Sequence, residues 1–233
     1  MVSISCEMMN GILTAYLFGY LLFLLVFVFM VYIAFLIYTR AFKEMGFSAF
    51  EAVLILLITL IFRQPIYICG VDISNFYLFT YNNWIVCINI GGGVIPIIIS
   101  LYLLIKRRLS LPKVLIALLA VCIFAYHVTY PDVNRGIVSP FPKWLVPGMV
   151  AGALAAILYI NEPRKAAPTA YLSGAMGVLI GADLFHLPEL LSFDPGKPTI
   201  ASIGGANIFD MIYITGILAA FLDAVLFIRR RKA

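Results

Sequence analysis

Two aspartates beside apolar segments are the leading candidates for chemistry in this sequence. Asp183 lies near the end of one apolar run and Asp210 near the start of the next. Ionisable side chains inside a membrane span cost free energy, so they are functional candidates by default, and adjacent antiparallel helices can bring two carboxylates together. His186 follows Asp183 by three residues and Asn207 precedes Asp210 by three, which puts each pair on one face of a helix.

Three further polar residues complete the set of candidate solute-binding or ion-binding residues. His127 and Asp132 follow the fourth apolar run and, with Arg135, can reach the same level as the two aspartates. Asn89 directly precedes a run of glycines. In a transporter, we expect Asn89 and Thr215 to line a cavity below the carboxylates.

Two interpretations of these residues involve no catalysis. In the first they are structural: Asp183 caps a helix or accepts hydrogen bonds near the membrane interface, Asp210 satisfies backbone groups beside the glycines, and His186 faces water. In the second, the two carboxylates form a proton-coupled or cation-coupled binding site for a small solute or ion between two half-bundles. Transport is the function that we expect from this sequence.

An intramembrane aspartyl protease is the main alternative. Two aspartates that share one proton can activate water, because like charges at short range raise one of the two pKa values. Gly181-Ala182-Asp183 is similar to the Gly-x-Gly-Asp motif of intramembrane aspartyl proteases, although Ala182 replaces the second glycine. The catalytic residues would then be Asp183 and Asp210, with Asp132 a less favoured partner, and the substrate would be a transmembrane peptide.

No cofactor or metal is predicted. The sequence contains no nucleotide, haem or flavin motif. A metal site formed by His127, Asp132, Asp183 and His186 is a weaker alternative, because only the last two have the spacing of metal ligands.

The composition indicates what must hold these residues in place. Of the 233 residues, 64% are hydrophobic and only 16 Lys or Arg and 11 Asp or Glu carry charge, which nearly excludes a soluble domain. The basic residues form short clusters rather than the broad basic face of a nucleic-acid-binding protein. We therefore predict an all-α protein of the lipid bilayer, with residues 1–233 forming a single integral membrane domain and no nucleic-acid partner.

Seven apolar runs predict seven transmembrane helices, since seven spans of about 20 residues need about 140 residues. The runs cover residues 11–38, 48–62, 85–106, 113–126, 144–160, 169–185 and 206–228. With the N-terminus outside, the inner segments hold twelve Lys or Arg residues and the outer segments hold four, namely Arg63, Arg135, Lys143 and Lys197. Because short basic loops stay on the cytoplasmic side, we expect a multi-pass protein of the cytoplasmic membrane with its N-terminus outside and its C-terminus inside.

The segment 66–88 is the longest predicted outer loop and is rich in aromatic residues. Its Tyr81-Asn82-Asn83-Trp84 is a turn signal between partly alternating β-type residues. Exposed strand edges cannot lie in lipid, so we expect a short β-hairpin or re-entrant flap at the outer interface.

Two passages resemble each other and suggest an internal repeat. Phe62-Arg63-Gln64-Pro65 is followed by a loop and Ile90-Gly91-Gly92-Gly93, and Phe185-His186-Leu187-Pro188 by a loop and Ile203-Gly204-Gly205-Ala206. If each Phe-x-x-Pro ends a helix, the chain is a parallel repeat of three spans, one linking span and three spans. The halves would be about 11–108 and 144–233, with a linking span at 113–130. Coincidence is the alternative, because Gly, Ile and Pro are common in membrane helices.

A separate stripe of glycines lies on the sixth run. Gly174, Gly177 and Gly181 lie about 150° around the helix from the Asp183 and His186 face. We expect the glycine face to pack closely against a neighbouring helix.

Three stretches also resemble a known family. Residues 89–96 (Asn-Ile-Gly-Gly-Gly-Val-Ile-Pro), 181–183 (Gly-Ala-Asp) and 203–210 (Ile-Gly-Gly-Ala-Asn-Ile-Phe-Asp) are similar to an uncharacterised archaeal and bacterial membrane family, domain of unknown function 1614. The resemblance covers roughly Phe62 to Phe221. It implies a multi-spanning fold and no established activity.

Overall fold

The computed structural model describes residues 2–205 and 215–222. The chain divides into two compact units, Met1–Tyr38 and Thr39–Ala233. Most of the last predicted span lies outside the described residues, and only 215–222 of it are seen to be helical.

Three helices among the described residues are long and apolar enough to cross a membrane: Tyr16–Met45, Leu111–Val128 and Pro163–Ser192. Ile90–Lys106 and Lys143–Leu158 are shorter apolar helices. In the first unit, the chain forms a single helix whose side chains at residues 16–36 are exposed and mostly apolar. Such a surface is suited to lipid rather than to water, which supports the predicted membrane location.

The second unit is mostly helical. The first helix, α1 (Val2–Met45), ends in it. The helices that follow are α2 (Ala49–Arg63), α3 (Ile95–Lys106), α4 (Leu111–Val128), α5 (Val146–Leu158), α6 (Pro163–Val178) and α7 (Phe185–Ser192). A capping box starts α2, in which Ser48 Oγ accepts from the Glu51 N–H and the Ser48 N–H donates to the Glu51 carboxylate.

Within the described residues, two π-helical segments interrupt the α-helical pattern. Ile90–Val94 leads into α3, and Leu179–Leu184 joins α6 to α7, so that Pro163–Ser192 is one continuous helix. The predicted helix end at Phe185-His186-Leu187-Pro188 is therefore wrong. Pro188 lies in the first turn of α7, directly after the π segment, where the ordinary hydrogen-bond ladder is already interrupted and a missing N–H is tolerated.

Three small sheets accompany the helices in the part of the chain that the structure describes. They are β1 (Tyr67–Ile68) with β2 (Val71–Asp72), β3 (Asn75–Tyr81) with β4 (Trp84–Asn89) and β7 (Thr199–Ile203), and β5 (Tyr130–Asp132) with β6 (Gly136–Val138). Strands β3 and β4 form the predicted hairpin, with Tyr81 opposite Trp84 and Asn82 at a φ of +50° in the turn. The third predicted span accordingly begins at Ile90 and not at Ile85, because the apolar run before it is β4.

The connections between helices alternate between short and long. The short ones contact one another: Arg107 Nε donates to the Met45 carbonyl at 3.0 Å, and the Ser110 N–H donates to the Tyr159 hydroxyl at 3.0 Å. Seven of the twelve Lys and Arg residues that the structure describes in the second unit lie around these turns, which we call the basic end (residues 43–48, 106–113 and 159–165). The strands β1–β7 lie in the long connections, which we call the sheet end (residues 64–89, 129–142 and 193–205).

The glycine stripe packs as predicted. A Cβ on Gly177 would lie 2.6 Å from Val121 Cγ1, and a Cβ on Gly181 would lie 2.2 Å from the Cys122 carbonyl oxygen. Both neighbours belong to α4, while Gly174 faces Thr215. Only glycine allows the backbones of α4 and the helix Pro163–Ser192 to approach so closely.

Candidate functional site

A cavity of about 990 Å³ lies at the sheet end. All three long connections contribute to its walls, and the helix Pro163–Ser192 forms another wall. Its charged and amide-bearing lining residues are Arg63, Asp72, Asn75, Asn134, Arg135 and Asp183. Strand β7, Trp84 and Trp144 also contribute to its lining.

Asp183 connects the long helix to the sheet. It lies in the π segment Leu179–Leu184, is half-buried, and lines the cavity. Its Oδ2 accepts a hydrogen bond of 2.7 Å from the backbone N–H of Gly204, which follows β7. The irregular turn thus directs a carboxylate from the helix wall towards the end of the sheet.

The two glycine runs meet beside this hydrogen bond. Strands β4 and β7 pair in parallel from Trp84↔Thr199 to Ile88↔Ile203, and glycines follow each strand. Gly204 has a φ of +87°, and a Cβ there would lie 2.5 Å from the backbone nitrogen of Gly93. Glycine is therefore required at position 204 by both conformation and space.

Arg63 is the buried cation of the cavity. It ends α2, is only 3% exposed, and lines the cavity, whereas Arg135 lies exposed on the β5–β6 turn. A guanidinium stays charged in any protein environment, so Arg63 supplies a fixed positive charge. In the sequence, Arg63 was counted among the outer basic residues and belonged to one passage of the suggested repeat, but it was not predicted as a site residue. Its position directly after the apolar run 48–62 was the feature of the sequence that could have marked Arg63 as a candidate site residue.

Asp72 is a second lining residue that sequence analysis missed. Its Oδ1 accepts from the Ser74 hydroxyl at 2.6 Å, from the Ser74 N–H at 2.9 Å and from the Ile66 N–H at 3.2 Å. Its Oδ2 accepts from Asn75 Nδ2 at 2.7 Å. Burial opposes ionisation of Asp72, but these hydrogen bonds outweigh it and hold the pKa of the carboxyl below its ordinary value. The Asp-x-Ser-Asn sequence is a turn signal that could have predicted this arrangement.

The network continues through Asn75 to Asn89. Asn75 Oδ1 accepts from the Ser202 hydroxyl at 2.8 Å and from Asn89 Nδ2 at 3.3 Å. Asn89 is buried, and its Oδ1 caps the π segment by accepting from the Gly92 N–H at 2.9 Å. Asn89 therefore holds backbone in place. Neither Asn89 nor Thr215, which is also buried, is among the residues that line the large cavity.

His186 packs away from water. It is 5% exposed and stacks on the ring of Tyr126 at a centroid distance of 4.4 Å. Its Nε2 lies 3.1 Å from the Tyr126 carbonyl oxygen, and its Nδ1 lies 3.3 Å from the Glu189 carboxylate. Because a carbonyl oxygen can only accept, Nε2 is the donor of the first bond. The expectation that His186 faces water is wrong, and His186 is not a lining residue of the cavity.

His127 and Asp132 lie near the cavity without lining it. His127 is exposed against the edge of the Tyr126 ring. Asp132 Oδ1 accepts from the N–H groups of Asn134 at 2.9 Å and Arg135 at 3.0 Å, so it shapes the β5–β6 turn. Within residues 2–205 and 215–222, no three His, Cys, Asp or Glu side chains come together as a metal site would need, so the four-residue metal alternative is wrong.

Asn207 and Asp210 lie outside the described residues. The predicted approach of Asp210 to Asp183, on which the protease interpretation depends, therefore stays a prediction. Of the predicted binding residues that the structure describes, Asp183 is the one that lines the cavity, and it is joined there by Arg63 and Asp72.

A family model described as protein of unknown function (DUF1614) matches residues 63–222, about two thirds of the chain. The chain belongs to this family, which confirms the resemblance found in its sequence. No curated protein and no solved structure matches the chain. The family description names no activity, so the function must be argued from the site itself.

Proposed function

We propose that the protein binds a small polar solute or ion in the cavity at the sheet end and moves it across the membrane in a cycle coupled to protonation of Asp183. The observation that carries this proposal is the position of Asp183, a half-buried carboxylate within a helix long enough to span a bilayer and facing a cavity. Ionisable residues at such positions mark ion and proton pathways. The volume of about 990 Å³ also lies within the range of small-molecule sites.

The charges of the cavity favour a polar cargo. The Asp72 carboxylate already accepts four hydrogen bonds, so it serves the fold rather than a ligand. Asp183 and Arg63 also line the cavity and place one negative and one positive charge in its walls. A polar solute with complementary charges is therefore attracted to both residues.

Protonation of Asp183 supplies the coupling. When ionised, Asp183 accepts a charge-assisted hydrogen bond from Gly204 and so ties the π segment to the end of β7. A neutral carboxyl accepts a weaker bond. Protonation therefore loosens this tie and removes a negative charge from the cavity in one step, which changes both solute affinity and the contact between the helix and the sheet.

The same proposal includes seven crossings with the N-terminus outside and a parallel repeat of three, one and three spans. The alternation of short basic turns with long connections supports an odd number of crossings. The parallel pairing of β4 with β7, each followed by glycines, supports the repeat. Under this topology the cavity opens to the outside.

Solute-driven currents in proteoliposomes test the proposal. The full chain is reconstituted and exposed to a panel of monovalent and divalent cations, amino acids, small organic acids and sugars at several pH values. We expect a saturable, pH-dependent current with at least one solute. Asp183→Asn should remove the pH dependence, whereas Asp194→Asn, an exposed carboxylate of the same end outside the cavity walls, should retain it.

The outcomes separate transport from its alternatives. If no solute in the panel drives a current above that of empty liposomes, transport is rejected. Cleavage of a model transmembrane peptide by the wild type, lost in Asp183→Asn, would instead establish the protease interpretation. Absence of both activities would leave a structural or partner-binding role.

A further inference from the structure

A second, apolar groove of about 340 Å³ lies between α2 and α3. Its lining is almost entirely aliphatic and aromatic, contributed by Phe47, Leu54, Ile55, Ile58, Ile95, Ile98, Ile99 and Tyr102, with Glu51 as the one charged lining residue. It is separate from the proposed solute cavity, with which it shares no lining residue.

The groove exists because α2 and α3 diverge. They come together at the π segment that precedes α3, where a Cβ on Gly91 would lie 2.5 Å from the Thr59 carbonyl oxygen and 2.8 Å from the Arg63 nitrogen. Towards the basic end, α2 no longer packs closely on α3, and large apolar side chains such as Ile98 are left 58% exposed. Within a bilayer, an apolar gap of this kind has to be filled by a hydrocarbon chain or by protein.

The dimensions of the groove match one leaflet. From Ala49 to Ile58, helix α2 rises about 14 Å at 1.5 Å per residue. The hydrocarbon core of a bilayer is about 30 Å thick, so half of it is about 15 Å. A single acyl chain that entered from the basic end would therefore run the length of the groove.

The end of the groove carries the charge that a phospholipid headgroup needs. Tyr102 closes the groove, stacked on Phe47 at 5.4 Å, and its hydroxyl accepts a hydrogen bond of 2.6 Å from Lys106 Nζ. Arg107 and Arg108 follow directly in the sequence. Although Glu51 lies at the same end, its carboxylate is already bound to the Ser48 N–H in the capping box. Exposed Lys106 thus presents a cation beside the mouth of an apolar groove.

We infer that this groove is a binding site for an anionic phospholipid, with one acyl chain between α2 and α3 and the headgroup phosphate at Lys106. The acyl chain would bury the apolar surfaces of α2 and α3 that the two helices leave open to each other, and Lys106 would make the site selective for a negatively charged headgroup. The inference is independent of the proposed transport function, since it uses other residues at the opposite end of the fold.

Native mass spectrometry of the full chain in detergent tests this inference, with phosphatidylglycerol and phosphatidylcholine of identical acyl chains as probes. We expect the first lipid molecule to bind each protein molecule at a lower lipid concentration than any further lipid molecules do. This first molecule should be phosphatidylglycerol in preference to phosphatidylcholine. Ile98→Trp fills the groove and should prevent binding of both lipids, whereas Leu101→Trp, equally exposed on the same helix but outside the groove, should bind them as the wild type does.

A headgroup variant keeps the test valid even if the groove variant folds poorly. Lys106→Gln should weaken phosphatidylglycerol binding about fivefold and leave phosphatidylcholine binding unchanged, since one lysine near an anionic surface contributes about that factor. Lys197→Gln, at the sheet end, is the matched control and should change neither. Equal binding of the two lipids by the wild type, or an unchanged lipid preference in Lys106→Gln, would overturn the assignment. A wild-type dimer that Ile98→Trp dissociates would identify a second copy as the occupant and would also overturn it.

Discussion

Replacement of Gly204 by alanine tests the junction on which the geometry of the site depends. Two separate costs arise at this position. The φ of +87° is one that a residue with a Cβ rarely adopts, which costs about 1–2 kcal/mol. The added Cβ would also lie 2.5 Å from the Gly93 nitrogen and 2.7 Å from the Gly92 carbonyl carbon, so the backbone itself has to move. Such overpacking costs a further ~1–3 kcal/mol.

A matched glycine separates the two costs. Gly196 has a φ of +71°, but a Cβ there would meet nothing within 4 Å. Gly196→Ala therefore carries only the conformational cost, about 1–2 kcal/mol, whereas Gly204→Ala carries both, about 2–5 kcal/mol. For a chain of this size, 1 kcal/mol corresponds to a shift in Tm of about 2–4 °C. We expect Gly204→Ala to melt several degrees below Gly196→Ala.

Thermal unfolding in detergent, followed by tryptophan fluorescence, is the assay, with both variants purified alongside the wild type. Gly204→Ala should in addition impair any activity that depends on Asp183, because the N–H that binds this carboxylate moves with the strand end. Gly196→Ala should leave that activity intact. Equal Tm values for the two variants would refute the close approach of the two glycine runs.

Three further substitutions test other parts of the fold by the same assay. Gly181→Ala should lower the free energy of unfolding by more than about 2 kcal/mol, because the new Cβ would meet the backbone of α4. Gly19→Ala is the control at an open position in α1, and it should leave the free energy of unfolding unchanged or raise it by about 0.5–1 kcal/mol. Similar effects of the two substitutions would contradict the close packing at Gly181. Asp72→Asn should lower stability at neutral pH by about 2 kcal/mol, since it removes a charged acceptor. The pKa of Asp72 is depressed in the folded chain, so the stability that its carboxylate contributes is present above about pH 4 and is lost as the pH falls below that value. The free energy of unfolding of the variant should therefore approach that of the wild type in acid. A difference in stability that persists in acid would argue against the hydrogen-bond network. Trp84→Phe loses the 2.8 Å bond from the indole to a backbone carbonyl in a buried site and should cost about 1–2 kcal/mol; an unchanged Tm would refute this role.

Local signals predicted the parts of the fold that depend on neighbouring residues. Asn82-Asn83 predicted the hairpin turn because adjacent turn residues decide it, and the spacing of Gly174, Gly177 and Gly181 predicted a close-packed face because helical periodicity decides that. The boundary at Ile90 was missed for a physical reason. The short apolar strand Trp84–Asn89 cannot be told from the start of a helix by its pattern alone.

The site depended on contacts that sequence spacing does not encode. The bond between Asp183 and Gly204 requires a π segment and a parallel pair of strands more than a hundred residues apart. The spacing did not predict that His186 would stack on the ring of Tyr126 and would not be among the residues that line the cavity, because this contact joins two different helices. The presence of Arg63 and Asp72 in the cavity lining depends on how the long connections fold, which the sequence pattern did not predict.

Infrared difference spectroscopy tests the central claim, that Asp183 changes its protonation state when solute binds in the cavity. The reconstituted protein is perfused alternately with buffer and with the solute that drives a current, and the carboxyl C=O stretch is recorded. We expect a carboxyl band in the wild type and in Asp194→Asn that is absent in Asp183→Asn. The same band in Asp183→Asn, or no carboxyl band in the wild type, would contradict it.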